Sequence, residues 1–188
     1  MIFAKHLNLE GLHAPFSASQ SAWLRYSDDK AIDVFRNKKA AEMGSRLHEW
    51  AKETIDLGIK QPRSKKTLYK YVNDAIGFKM STEVVLYYSD YFFGTADAIC
   101  FRNNTLRIHD LKTGKVGKNE QHIEQLEVYA ALFCLEYKIK PGDIEMELRV
   151  YKEDEVLVHN PSTDDILHIM DKIVHLNKIL EKIDGEEV

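Results

Sequence analysis

Cysteine is scarce in this chain. Cys100 and Cys134 are the only two among 188 residues, and they form no local ligand pair. That excludes a disulfide-built scaffold and a cysteine metal knot, and it predicts two small buried hydrophobes in a reducing, cytoplasmic setting. No apolar run is long enough to span a bilayer, so no membrane partner is expected. The opening Met1–His6 is too short for the apolar region of a secretory signal, and no basic amphipathic leader follows it. Positive charge is not in excess either: 26 Lys and Arg stand against 30 Asp and Glu, a net of −4. A protein that coats nucleic acid without specificity carries the opposite balance. Internal repeats, a clear linker and a Gly-x-x-x-x-Gly-Lys-Ser/Thr phosphate loop are all missing.

What remains is an ordinary globule, 44% hydrophobic and 30% charged. One domain over residues 1–188 is expected, large enough to remove roughly 70% of its unfolded surface from water. A helical stripe runs through Ala40, Met43, Leu47, Trp50, Ala51 and Ile55, after a surface turn at Asp28-Asp29-Lys30. Ser64 is placed to cap a second helix carrying Leu68, Tyr71, Val72, Ala75 and Ile76. A strand is expected from Glu83 to Tyr88. After a helix around Gln125, Ile144, Met146, Leu148 and Val150 alternate with polar residues, which predicts a strand with one wet face. Val156–Val158 makes another strand, and Ser162 caps a final apolar helix. The fold class is α/β, a mixed central sheet flanked by helices.

Two carboxylates interrupt this pattern. By the period-2 rule Phe93, Thr95, Asp97 and Ile99 share one face of a strand. Asn103-Asn104 supplies a turn, and Leu106, Ile108, Asp110 and Lys112 line one face of the return strand. Such a hairpin brings Asp97 toward Asp110 with Lys112 on the same side. Two carboxylates held together repel strongly, and a hard divalent cation, magnesium or manganese, removes the penalty. On the next helix Gln121, Gln125 and Tyr129 follow one another at i, i+4 and i+8.

The order Gly44-Ser45-Arg46-Leu47-His48, Gly94-Thr95-Ala96-Asp97, Asp110-Leu111-Lys112-Thr113 and Gln125-Leu126-Glu127-Val128-Tyr129 resembles the PD-(D/E)XK nuclease superfamily. Within it, the chain resembles the branch that holds RecB-type nuclease domains and the mitochondrial genome maintenance exonuclease. Phe16-Ser17-Ala18-Ser19-Gln20 is similar to the start of such domains. The resemblance implies a restriction-endonuclease-like core and metal-dependent hydrolysis of DNA, with a single-stranded or free end preferred. It implies metal ligation by His48, Asp97, Asp110 and the Leu111 carbonyl, hydrolytic work by Lys112, and support from Gln125 and Tyr129. Asp110 stands where much of the superfamily has glutamate. Two cysteines cannot supply the four that hold an iron-sulfur cluster in several relatives, so none is expected. A helicase or recombination partner would be another chain.

Three points stay open at this level. Glu83 reads equally as a further acid near the metal or as a surface residue. The basic run Lys60, Arg63, Lys65, Lys66 and Lys70 reads as a phosphate-binding face or a solvated one, and Lys115 and Lys118 flank the site in a glycine-containing loop. A DNA exonuclease leads; an endonuclease or flap nuclease, and a non-catalytic nucleic-acid-binding module of the same fold, are the alternatives.

Overall fold

The computed structural model describes residues 14–19, 21–114, 119–153 and 155–186. The chain separates into two compact units, Met1–Ser45 and Arg46–Val188. In the first unit Phe16 meets Trp23 edge-on at 6.3 Å, and the Trp23 indole N–H donates to the Ser17 carbonyl at 2.9 Å. A short 3-10 helix covers Ser21–Arg25.

Helix α1 spans Asp28–Asp56 and crosses the boundary between the units. It starts well ahead of the apolar stripe that begins at Ala40. Asp28-Asp29-Lys30 is therefore not a surface turn: the Ser27 hydroxyl accepts the Lys30 N–H at 3.3 Å, and the two aspartates sit where a helix favours negative charge. The stripe holds only in the C-terminal turns. Ala51 and Ile55 are buried, whereas Met43 is 54% exposed.

Helix α2 covers Thr67–Phe78, and Lys66, not Ser64, occupies its N-cap. Ser64 instead accepts the Lys66 N–H one turn earlier, at 3.2 Å. Strands β1 (Ser81–Ser89), β2 (Phe92–Arg102) and β3 (Thr105–Lys112) form an antiparallel meander. Between β2 and β3 the Asn103 and Asn104 φ angles are 50° and 60°, the left-handed pair that closes a two-residue hairpin and that asparagine tolerates. Helix α3 (Asn119–Tyr137) then carries the chain across to β4 (Glu145–Lys152), parallel to β3; β5 (Glu155–His159) returns antiparallel. The result is a five-stranded mixed sheet in sequence order. Helix α4 (Thr163–Glu186) begins with a reciprocal cap in which Ser162 and Asp165 bond each other's backbone N–H groups, both at 3.2 Å.

Two cores sandwich the sheet. Leu106, Ile108, Met146, Leu148 and Val150 face α3 and α4, meeting Leu126, Ala130 and Ile166. Ala98, Cys100, Leu111 and Tyr151 face the other way, onto Tyr71, Val72 and Ala75 of α2 and Ala51 and Ile55 of α1. Both cysteines are buried, as their scarcity suggests. The wet face expected for β4 is a correction. Tyr151 is fully buried there, and Arg149 bonds Asp74 of α2 at 3.0 Å and Glu147 at 2.9 Å. Arg107 and Arg149 both lie over the Phe78 ring, at 4.6 and 5.0 Å. Charged residues occupy this face because they are paired beneath α2, not because water covers it. Among the described residues no helix is long and apolar enough to cross a membrane.

Candidate active site

The site forms where the sheet comes apart. The β2–β3 ladder ends at Ala98 and His109, so the next positions, Asp97 and Asp110, lie where the strands diverge. The Leu111 N–H donates to Asp97 Oδ2 at 2.9 Å, satisfying a backbone group and aiming the carboxylate between the strands. On the other side of β2 the β1 ladder also skips one step, at Glu83. Glu83 has a φ of 50° and is exposed. The side chains of β2 change face across this break: Ala96 belongs to the core under α3 and Ala98 to the core under α2. Strict alternation from Phe93 to Ile99 therefore fails. Ile99 packs in the α3 core, and Asp97 occupies the irregular step.

Helix α1 delivers His48, whose Nδ1 is 3.4 Å from Asp97 Oδ2. From β3, Lys112 bridges two partners: its ammonium donates to Asp110 Oδ1 and to Gln125 Oε1 of α3, both at 2.9 Å. Gln125 in turn donates to the Tyr129 hydroxyl at 3.2 Å. The i, i+4 spacing on α3 thus becomes a chain of hydrogen bonds that ends on the lysine. Leu111 is buried in the α2 core. Six of the residues singled out from the sequence (His48, Asp97, Asp110, Lys112, Gln125 and Tyr129) are brought together.

Tyr129 needs Gly94 for its place. A Cβ at Gly94 would lie 2.7 Å from Tyr129 Cε1, inside van der Waals contact. Gly94→Ala is expected to push the ring off Gln125 and cost about 1–3 kcal/mol, read as a lower urea midpoint at unchanged slope. An unmoved midpoint would mean that the ring turns aside freely.

The electrostatics are unbalanced. Burial first, and the Asp110 charge second, push Asp97 up to about 6, against the opposing pull of the Leu111 N–H and His48. Asp110 Oδ2 is buried with no hydrogen-bond partner. Proton binding by Asp97 thus favours the folded metal-free protein. That stability is complete below the unfolded value of 3.8 and is lost as pH rises through about 6. The loss is bounded at about 3 kcal/mol. In chelator, wild type should lose melting temperature between pH 5 and pH 8 while Asp97→Asn keeps its own. Parallel curves for the two proteins across that window would contradict the strained pair.

Lys65 and Lys66 are exposed and precede α2, and Lys70 is half-buried in its first turn. The Lys66 ammonium sits over Tyr69, 5.5 Å from the ring centre. Tyr71 is core. Lys115, Lys118 and Gln20 lie outside the described residues. Among the described residues no group of three or more His, Cys, Asp or Glu side chains is arranged to hold a metal ion.

Two buried histidines escaped the sequence reading. His109 is sealed behind α2 with Tyr151 at 3.3 Å, and burial followed by Arg149 and Arg107 holds it at about 3, neutral. His122, one turn before Leu126 on the inner stripe of α3, is buried with Nε2 unpartnered. Its position on that apolar stripe was the available signal.

The family model described as "Protein of unknown function (DUF2800)" matches residues 79–146, about a third of the chain. The match takes in Asp97, Asp110, Lys112, Gln125 and Tyr129 and leaves out His48. No curated protein matches the chain, and no solved structure does.

Proposed function

We propose that this protein is a magnesium- or manganese-dependent deoxyribonuclease with a restriction-endonuclease-like core, acting as an exonuclease on single-stranded DNA ends. One observation carries the reading: Asp97 and Asp110 converge where β2 and β3 part, with one buried Asp110 oxygen unpartnered and Asp97 held above its ordinary range. Support for the core comes from the order of elements, a helix, a three-stranded meander, a crossover helix and a parallel strand. The ordered motifs supply DNA as the substrate class.

The donor set fits a hard cation. Asp97 and Asp110 would hold it, with the Leu111 carbonyl and the His48 imidazole as the remaining protein donors. Magnesium is commonly bound through one or two carboxylates, water and substrate phosphate, so Asp97 and Asp110 suffice for it without the imidazole. Imidazole is the softer donor and favours manganese. When bound, such an ion supplies Lewis acidity at the phosphate and lowers the pKa of a coordinated water.

The chain's own groups do the rest. Lys112 presents a fixed positive charge beside Asp110, where it offsets charge gathering on the phosphoryl oxygens and orients the attacking water. Gln125 holds the ammonium from the α3 side, and Tyr129 holds Gln125. The lysine is thereby positioned before substrate arrives.

The test compares end-labelled linear and covalently closed circular single strands with magnesium, manganese or chelator. Linear DNA should be shortened from its end only when metal is present, and circles should survive. Circles cut as fast as linear strands would replace the exonuclease by an endonuclease. Equal persistence of both substrates, with and without metal, would leave a binding module.

A further inference from the structure

Past the cleft, β1 and β2 continue together as a two-stranded extension with unlike sides. On one side Leu86 and Ala96 are buried, with Val84, Tyr88, Phe92 and Tyr129 packed against the same core. The opposite side is exposed among the described residues. Phe93 is 62% exposed, Val85 54% and Tyr87 45%. The ladder places Tyr87 opposite Phe93 and Val85 opposite Thr95, so the two rings are cross-strand neighbours with the valine beside them. Exposed rings gathered in one patch mark a contact surface, not a random scatter of apolar side chains. The Tyr87 hydroxyl donates to Asp90 at 2.9 Å, which fixes the ring's outer end.

This patch leads into the candidate site. Phe93, Thr95 and Asp97 occupy every second position of β2, so the aromatic pair lies about 13 Å from Asp97 along the strand. Asp90 and Glu136 border the patch, accepting from the Tyr87 hydroxyl and the Tyr87 N–H, both at 2.9 Å. Phosphates are poor ligands for such a surface. Flat, uncharged π faces are good ones, because every base stacks on an aromatic ring irrespective of sequence.

We propose that Phe93 and Tyr87 form a stacking platform for the unpaired bases of single-stranded DNA beside the Asp97–Asp110 site. The proposal rests on the nuclease reading above and adds what selects single strands: a duplex keeps its base faces covered, and a single strand offers them. Continuity of the row with Asp97 favours DNA over an unrelated occupant of the patch.

The experiment measures binding of a fluorescein-labelled oligothymidylate by anisotropy in chelator, for the full chain and for Phe93→Ala, Tyr87→Ala and Phe93→Trp. Both rings are exposed, so the alanine variants should fold, which circular dichroism checks. Loss of one stacked base weakens binding by about tenfold or more. Phe93→Ala is expected to show that loss at an unchanged salt slope, since no phosphate contact goes with the ring, and Phe93→Trp should restore affinity. Wild type should also discriminate against an abasic oligonucleotide, and Phe93→Ala should not. Alanine variants that bind within twofold of a tightly binding wild type would overturn the platform and leave the nuclease reading standing. A wild type that neither binds the oligonucleotide nor cleaves it with metal would overturn both. A concentration-dependent dimer seen by sedimentation and lost in Phe93→Ala would give the patch to a second copy of the chain and overturn the proposal as well.

Discussion

Asp97→Ala and Asp110→Ala should each abolish manganese binding measured by calorimetry, and with it cleavage. The two carboxylates occupy adjacent places in the hairpin at the point where its ladder stops. Neither has a cationic partner able to neutralise both: Lys112 takes one oxygen of Asp110, and Asp97 has a backbone N–H and His48. Removing one acid removes half the negative charge that attracts a divalent ion. The same change relieves the repulsion between the acids but leaves the Leu111 N–H or the Lys112 ammonium without its acceptor, so each variant should keep its fold in chelator near pH 8, as circular dichroism checks. That combination, a kept fold and lost metal, separates a metal site from a structural pair. Wild-type manganese affinity in both variants would mean that these acids are not ligands.

The second large effect belongs to Lys112. Its side chain is mostly buried and already holds Asp110 and Gln125, so Lys112→Ala leaves a buried carboxylate and an amide oxygen without their donor. Some stability is lost for that reason. The catalytic loss should be far larger, about a hundredfold or more in single-turnover cleavage at saturating metal and DNA. Gln125→Ala should follow it more weakly, since Gln125 positions the ammonium without meeting the phosphate. A Lys112→Ala rate within threefold of wild type, with unchanged circular dichroism, would reduce the lysine to a structural bridge.

The parts of the site that were legible in the sequence are those built from regular local geometry. Leu106, Ile108, Asp110 and Lys112 alternate along β3 as written, because nothing interrupts that strand. Asn103 and Asn104 announce a left-handed turn by residue type alone. Gln125 and Tyr129 meet because a helix repeats every 3.6 residues. Irregular steps were not legible. A glutamate at a φ of 50° is rare, so nothing in the letters marks Glu83 as the place where β1 breaks step, and without it the face change around Asp97 is invisible. Hydropathy likewise cannot tell a charge in water from a charge in a pair. Glu147 and Arg149 look solvated in the sequence, and Asp74, Arg107 and Phe78 cover them from elements far away in the chain. The early start of α1 was missed for a local reason, since Asp28 and Asp29 suit a turn and a first helical turn equally well.

The most direct measurement is a time course of nucleotide release from an end-labelled linear single strand. Wild type and the Asp97→Ala, Asp110→Ala double variant are run side by side in magnesium, manganese and chelator. Wild type should release short products progressively with either metal and none in chelator, and the double variant should release none in any condition. Metal-stimulated release that survives in the double variant, or release by wild type in chelator, would contradict hydrolysis at the Asp97–Asp110 cleft.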